Sequence, residues 1–283
     1  MPVSYGTPTG QPSNDVPVCP RHPDRIAYVR CQRCGRPACP ECQRTASVGV
    51  QCVDCIRETS RSVPKTKTTY GGAVRPGKPV VTYTLIGLCV AVFLLQFILP
   101  ELTRSFGYSP LYTLTDPWTM LTSAFLHSQG FFLHIAFNMY ILWLIGNSLE
   151  PLLGRSRFLS LYLISAFGGS VGVLLLSPLN TLVIGASGAV FGLFGALFVI
   201  QRQRGGDVRQ LVILIAINAV LGFVVSGIAW QAHLGGLVAG GLAAAILAYA
   251  PRGKKRTLVQ TAGLVGVVAL FVAVGAARIW TLL

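Results

Sequence analysis

Two sets of residues in this chain have types and spacings that carry chemistry. The first is polar and set in apolar surroundings. It comprises Ser187 in "LVIGASGAVFGLFGALFVI" (182–200), His134 and Asn138 in "FFLHIAFNMY" (131–140), and His233 in "AHLGGLVAGG" (232–241). Acyl transfer needs a nucleophile, a base within hydrogen-bond reach and donors for a developing oxyanion. Ser187 and His233 offer the first two. His134 and Asn138, four residues apart and so on one helical face, offer the third together with the Ser187 N–H. Each has a plainer reading when taken alone. Gly185, Gly188, Gly192 and Gly195 around the serine suit close helix packing, a lone histidine can bond a neighbouring carbonyl, and an asparagine can join two helices. Their conjunction points to a nucleophile.

The second set is four pairs at x-x spacing: Cys19 and His22, Cys31 and Cys34, Cys39 and Cys42, Cys52 and Cys55. This pattern predicts two tetrahedral structural zinc sites, with sequential and interleaved pairings both open. Disulfides are the alternative, disfavoured if the segment faces a reducing compartment. A redox C-x-x-C would more often stand alone beside a βαβ pattern. Cys89 lies apart in an apolar run and reads as a small lipid-compatible residue.

The elements that must hold these residues are written in the composition. Of 283 residues 52% are hydrophobic and 11% charged, against about a quarter charged in ordinary soluble domains. Residues 1–80 hold 12 of the 23 Lys+Arg and 5 of the 9 acidic residues. Seven spans are expected at about 80–99, 132–149, 157–176, 183–201, 209–227, 233–250 and 259–277, each near the length that crosses ~30 Å of hydrocarbon. The connection 100–131 is too broken by prolines and polar residues for a span and reads as an embedded loop or short interfacial helices. Residues 1–17, polar and rich in Pro, Gly and Ser, read as a disordered tail rather than a secretory signal. Residues 59–79 read as a basic linker.

Basic residues in alternate loops set the orientation. After the first span one side carries Arg104 and, in the C-terminal tail, Arg278. The other carries Arg155, Arg157, Arg202, Arg204, Arg209, Arg252, Lys254, Lys255 and Arg256. The N-terminal region is therefore expected in the cytoplasm and the C-terminus outside, and the net charge of +14 reports topology rather than nucleic acid. Spans 2, 4 and 6 then run from outside inwards, which puts His134, Asn138, Ser187 and His233 at one depth in the outer part of the bilayer. No carboxylate lies in the outer half of a span, since Glu150 closes span 2. A Ser–His dyad is expected, with Asp116 in the first loop as the alternative third member. A transporter would show ionisable residues along a midplane or repeated broken helices, and neither is present.

The stretches "TSAFLH" (122–127), "HIAFN" (134–138), "GASGAVFG" (185–192) and "AHLGGLVAG" (232–240), in this order, resemble the rhomboid family of intramembrane serine proteases. The resemblance covers about residues 80–250. It implies an all-α polytopic membrane protein, with a six-helix core, Ser187 as nucleophile and His233 as base. His134 and Asn138 would support the oxyanion, with Gly185 in the motif around the serine. It also implies a cofactor-free reaction on transmembrane substrates near their outer ends. The family's frequent Trp-Arg in the first loop is here Trp118-Thr119. Its frequent tyrosine four residues after the serine is Phe191, which keeps the ring but not the hydroxyl. His127, seven residues before His134, is taken as structural. The segment 251–283 matches the extra seventh helix of some members. The loop "SGIAWQAH" (226–233) and span 5 are the expected lateral gate by analogy.

The head, 18–58, resembles a B-box-type cross-braced finger with Cys–Cys as its last pair. In that interleaved scheme Cys19, His22, Cys39 and Cys42 share one ion, and Cys31, Cys34, Cys52 and Cys55 the other. Two structural zinc ions, a cytoplasmic protein partner for the arginine-bearing head and a bacterial cell membrane complete the expectation, with no nucleic acid as partner. A catalytically silent relative that binds transmembrane clients is the alternative.

Overall fold

The structure, a computed structural model, describes residues 16–62, 66–75, 77–224 and 227–282. Most of the expected 1–17 tail, and Ser226 of the expected gate loop, lie outside the described residues. The chain divides into two compact units, Met1–Lys65 and Thr66–Leu283.

In the first unit, β1 (Val18–Cys19) pairs antiparallel with β2 (His22–Ile26), and β3 (Gln43–Thr45) with β4 (Val50–Cys52). Helix α1 (Val53–Ser62) follows β4 directly. The buried core consists of Cys19, Cys31, Cys39, Cys42, Cys52 and Cys55 with only Ala27 and Ala38. Among the described residues no large aliphatic or aromatic side chain is buried in it, and Val53 packs partly buried against it. A core this poor in apolar area does not offset the entropy of ordering the chain, so the cysteines must contribute by another route.

The second unit opens with a strap. Residues 66–75 fold back on themselves through a bridge between Lys67 and Ala73, and Tyr70 at the bend is 2% exposed. Helix α2 (Val80–Ile98) runs from Pro79 to Leu99, where Pro100 stops it. Glu150 receives its first backbone N–H groups, Val81 at 3.0 Å and Thr82 at 2.8 Å, and the Thr82 hydroxyl at 2.8 Å. A carboxylate there satisfies donors that have no intrahelical partner and complements the helix dipole. The connection that follows contains α3 (Glu101–Phe106) and α4 (Thr119–Thr122) with 3₁₀ turns at Pro110–Tyr112 and Ser123–Phe125. It is a set of short elements, as its prolines imply.

Helices α5 (Phe132–Leu153) and α6 (Arg155–Leu176) are joined at Gly154, whose φ of 82° turns the chain within one residue. Then come α7 (Ser187–Gln203), α8 (Arg209–Val224), α9 (Trp230–Tyr249) and α10 (Arg256–Trp280). Among the described residues, α2, α5, α6, α9 and α10 are long and apolar enough to cross a membrane. Helix α7 is shorter than the span expected from hydropathy. Val183 instead pairs with Tyr108, with N···O distances of 3.0 and 2.8 Å, and the chain bends at Gly185 before the helix starts. At 17 residues the helix is about 25 Å long.

Helices α6, α7 and α9 form the centre, backbone against backbone. A Cβ on Gly236 of α9 would overlap the Gly188 carbonyl of α7, and one on Gly240 would overlap Gly192. Small residues let these helices approach without a side-chain layer between them. The outward faces of α2 and α10 carry exposed Phe97, Ile98, Leu270 and Val272, as a lipid-facing surface requires.

Candidate functional site

Gly185 gives the chain its sharpest bend before α7. Its φ of 129° is a conformation that side chains disfavour, and its N–H donates to the Ser123 carbonyl at 2.9 Å. Ala186 then lies at the N-cap and Ser187 is the first residue of α7. The N–H groups of this first turn have no intrahelical acceptor and face the positive end of the helix dipole.

His134, in the first turn of α5, sits against that bend. A Cβ on Gly185 would lie 2.8 Å from His134 Nε2. The other ring nitrogen, Nδ1, accepts from the Ser128 N–H at 3.3 Å. An imidazole that accepts at Nδ1 carries its proton on Nε2, so His134 presents a donor to the turn in front of Ser187. One turn further along α5, Asn138 is buried and spends one amide N–H on the His134 carbonyl at 2.8 Å. Its second N–H is left for another acceptor.

His233 lies in the first turn of α9. Its ring stacks flat on Phe191, with centroids 4.0 Å apart and planes at 8°. Phe191 is four residues after Ser187, hence on the same face of α7. The touching backbones of Gly188 and Gly236 bring the first turns of α7 and α9 side by side. Ser187 and His233 therefore lie in neighbouring first turns, and both are partly exposed. His233 Nδ1 is buried with no hydrogen-bond partner among the described residues. Asp116 spends its carboxylate on the Thr115 hydroxyl at 2.9 Å.

The surrounding loop is fixed by side chains that hydropathy does not single out. Gln96 of α2 donates to the His127 carbonyl at 3.0 Å and accepts from the His127 N–H at 3.0 Å. Ser170 of α6 donates to the Met120 carbonyl at 2.7 Å. The only sequence signal for either is a polar residue inside a span, which by default marks a partner. His127 is fully buried, with its ring centroid 5.3 Å from that of His134. Burial, and then His134, push its pKa down to about 4, so it is neutral at pH 7.

An unfolded histidine titrates near 6.5. Between that value and about 4 the unfolded chain binds the extra proton, so stability falls as pH drops through this window and levels off below it. Unfolding temperatures of wild type and His127→Phe should diverge from neutral to acid pH. Parallel pH profiles would refute the assignment.

In the first unit the eight ligand-type residues form two groups: Cys19, His22, Cys39 and Cys42, and Cys31, Cys34, Cys52 and Cys55. The pairing is interleaved, the arrangement that spacing alone left open. In each group one donor atom per residue lies within 4.8 Å of the others. His22 Nδ1 is 3.2 Å from Cys39 Sγ and 3.4 Å from Cys42 Sγ, and Cys34 Sγ is 3.8 Å from Cys52 Sγ. Zinc–sulfur bonds of about 2.3 Å in a tetrahedron put ligand atoms roughly 3.8 Å apart, so both groups have the dimensions of a metal site. The far nitrogen of His22 faces Glu41 at 4.0 Å, and Arg25 holds that carboxylate at 2.5 Å. Such outer partners orient a ligating imidazole.

The thiols are unevenly poised. The Cys39 backbone N–H, foremost among several donors, holds Cys19 down to about 6, whereas burial pushes Cys42 up to about 11 and Cys55 to about 12. Without a cation the last protons stay on, because thiolates repel one another. A divalent ion removes that obstacle.

The fold defines the class: an integral membrane protein of apolar helices, with a serine and a histidine in the first turns of two closely packed helices. The family model described as Rhomboid domain matches residues 114–250. Rhomboid protease GluP of Bacillus subtilis (strain 168) is 35% identical over 193 residues, 64% of this chain and 37% of that protein. The putative rhomboid protease YdcA of the same organism is 35% identical over 173 residues, 57% of this chain and 85% of YdcA. Rhomboid protease AarA of Providencia stuartii is 28% identical over 205 residues, 59% and 72% of the two chains. The chain belongs to the rhomboid family, although its match to GluP spans little more than a third of that relative's length.

Proposed function

We propose that this chain is an intramembrane serine endopeptidase that hydrolyses peptide bonds in or near transmembrane segments. The observation that carries the reading is the stacking of Phe191 on His233 at 4.0 Å. It holds the imidazole over the face of α7 that begins with Ser187, and it needs the ring of the residue but not a hydroxyl. The named proteases among the relatives support the same reaction class.

In this mechanism His233 takes the proton from Ser187 Oγ as the oxygen attacks the substrate carbonyl. The tetrahedral oxyanion is held by the Ser187 N–H, the His134 Nε2–H and the free Asn138 amide N–H. Collapse breaks the C–N bond, and His233 returns the proton to the leaving amine. Water, deprotonated by His233, then hydrolyses the acyl ester and regenerates Ser187. Gly185 contributes by aiming the first N–H groups of α7 at the cleft. A substrate helix hides its carbonyls in hydrogen bonds, so segments with weak helix propensity are the expected substrates. No observation favours the catalytically silent alternative, which would be expected to have lost Ser187 or His233.

The reading extends to organisation. The proposed catalytic domain is 80–250, with 251–283 a basic loop and seventh helix. The head at 18–58 is a B-box-like zinc module with two structural ions, followed by the connection 59–79. The excess of Arg and Lys at one end of the bundle supports a cytoplasmic head and an outward-opening active site, and a bacterial cell membrane is the proposed location. A cytoplasmic protein is the proposed partner of the head's exposed arginines.

A serine-reactive fluorophosphonate tests the reading directly. Wild-type protein in liposomes should be labelled at Ser187, as located by peptide mass spectrometry, and should lose cleavage of a reporter transmembrane segment in proportion. Labelling elsewhere, or cleavage that survives full labelling, would reject it. Asn138→Ala removes one of three oxyanion donors and should lower kcat by roughly 10²–10³ with little change in reporter binding.

A further inference from the structure

At the end of the bundle where α7 and α9 stop and α10 starts, the strap closes one side of a cavity of about 330 Å³. Thr69 and Tyr70 of the strap, Gln203 and Arg204 after α7, and Arg252 and Arg256 before α10 line it, against the Ala248–Ala250 end of α9. Three guanidinium groups thus meet in one cavity, with no carboxylate among the described residues of its wall. Tyr70 donates its hydroxyl to Gln203 at 3.0 Å, and Arg256 gives one N–H to the Thr69 carbonyl at 3.0 Å. Arg256 Nε is buried without a hydrogen-bond partner among the described residues. None of the three arginines forms an ion pair among the described residues. The acids that stand near this end in sequence are occupied: Glu150 caps α2, and Asp207 accepts the Arg209 N–H at 2.9 Å. Burial raises the Tyr70 pKa, and Arg204 and Arg256 pull it back, which places both charges beside the phenol.

Three unpaired like charges around one cavity are unfavourable until an anion joins them. Planar guanidinium forks suit an anion with several oxygens, and phosphate above all. The cavity's size falls at the lower end for small-ligand sites, and its position at the ends of membrane-crossing helices puts it at headgroup depth. We propose that this cavity binds a phosphate group, presented by an anionic phospholipid of the adjoining leaflet. The proposal is independent of proteolysis.

The test uses full-length protein, purified in detergent and stripped of lipid. It is titrated in mixed micelles with phosphatidylglycerol or phosphatidylcholine, and separately with inorganic phosphate. Readouts are the unfolding temperature of the helical unit and bound lipid by native mass spectrometry. Phosphatidylglycerol should bind saturably and raise the unfolding temperature, and phosphatidylcholine should not. Arg204→Gln/Arg252→Gln, two exposed positions, should weaken binding by about tenfold or more. Arg202→Gln/Arg209→Gln removes the same charge outside the cavity and should leave binding intact, which separates a site from general attraction to anionic membranes. Protection by inorganic phosphate, matching that by the lipid and lost in the first variant only, would keep the phosphate site but overturn the lipid source. Equal losses in both double variants, or no response to lipid and phosphate alike, would overturn the proposal altogether.

Discussion

Ser187→Ala is expected to abolish cleavage of a transmembrane reporter while leaving the helical unit folded. Only the hydroxyl group is removed, and Ser187 is partly exposed rather than part of the packed core. The variant should therefore unfold at the wild-type temperature. The loss should be roughly 10⁴–10⁶ in kcat, because nucleophile and base act as one unit and removing either forfeits the covalent route. For the same reason His233→Ala should cost about as much, and the double variant little more than either alone. Additive losses would mean that the two residues do not cooperate. Unchanged cleavage by Ser187→Ala would remove the nucleophile assignment, whatever the remaining residues do.

The second large effect concerns metal. Full-length protein should carry about two zinc ions, and a strong chelator should release them with loss of protease resistance across residues 18–58. The expected size follows from the core of the head, six cysteines and two alanines. Structural zinc contributes about 10–16 kcal/mol of apparent binding energy, comparable to the entire stability of an ordinary domain. Cys39→Ser should open the head even in excess zinc, since Cys39 is wholly buried and His22 Nδ1 points at it from 3.2 Å. Cleavage kinetics of the helical unit offer an internal control, because that unit has its own core. A head that stays protease-resistant after complete metal removal would sink the structural-zinc reading.

Both predictions start from residues that could be read without coordinates, and the reason is physical. Apolar length reveals a span because hydrocarbon thickness fixes it, so five of the seven expected spans are helices long and apolar enough to cross a membrane, while α7 and α8 are shorter. Ser187, His233, His134 and Asn138, the proposed catalytic set, stand out because apolar spans leave few polar residues to confuse them. Hydropathy is blind to dihedral angles, however. It extends span 4 back to residue 183, whereas the bend at Gly185 and the Tyr108–Val183 bridge delay the helix to Ser187.

Tertiary polar partners are similarly hidden. Glu150 reads only as the end of a span, and nothing local says that it caps α2, 68 residues earlier in the chain. The strap is hidden as well, for one aromatic in a polar stretch carries no period, yet Tyr70 is buried with its carbonyl bonded to Gln260 at 3.0 Å. In the head, spacing identifies the ligands but not their partners. The two short hairpins decide that, by setting Cys19 opposite His22 and Gln43 opposite Cys52.

The close seam between α7 and α9 has a consequence for the cell's energy supply. Hydrolysis inside a membrane demands that water reach Ser187, yet a wet path from face to face would carry protons and short-circuit the gradient that drives transport and synthesis. Below Phe191, Leu193 and Ala196 have no exposure and Ile200 has 2%, and the glycines let main chains seal the gap where side chains would leave voids. For the proposed protease, this packing would confine water to the reacting bond and insulate the membrane beneath it.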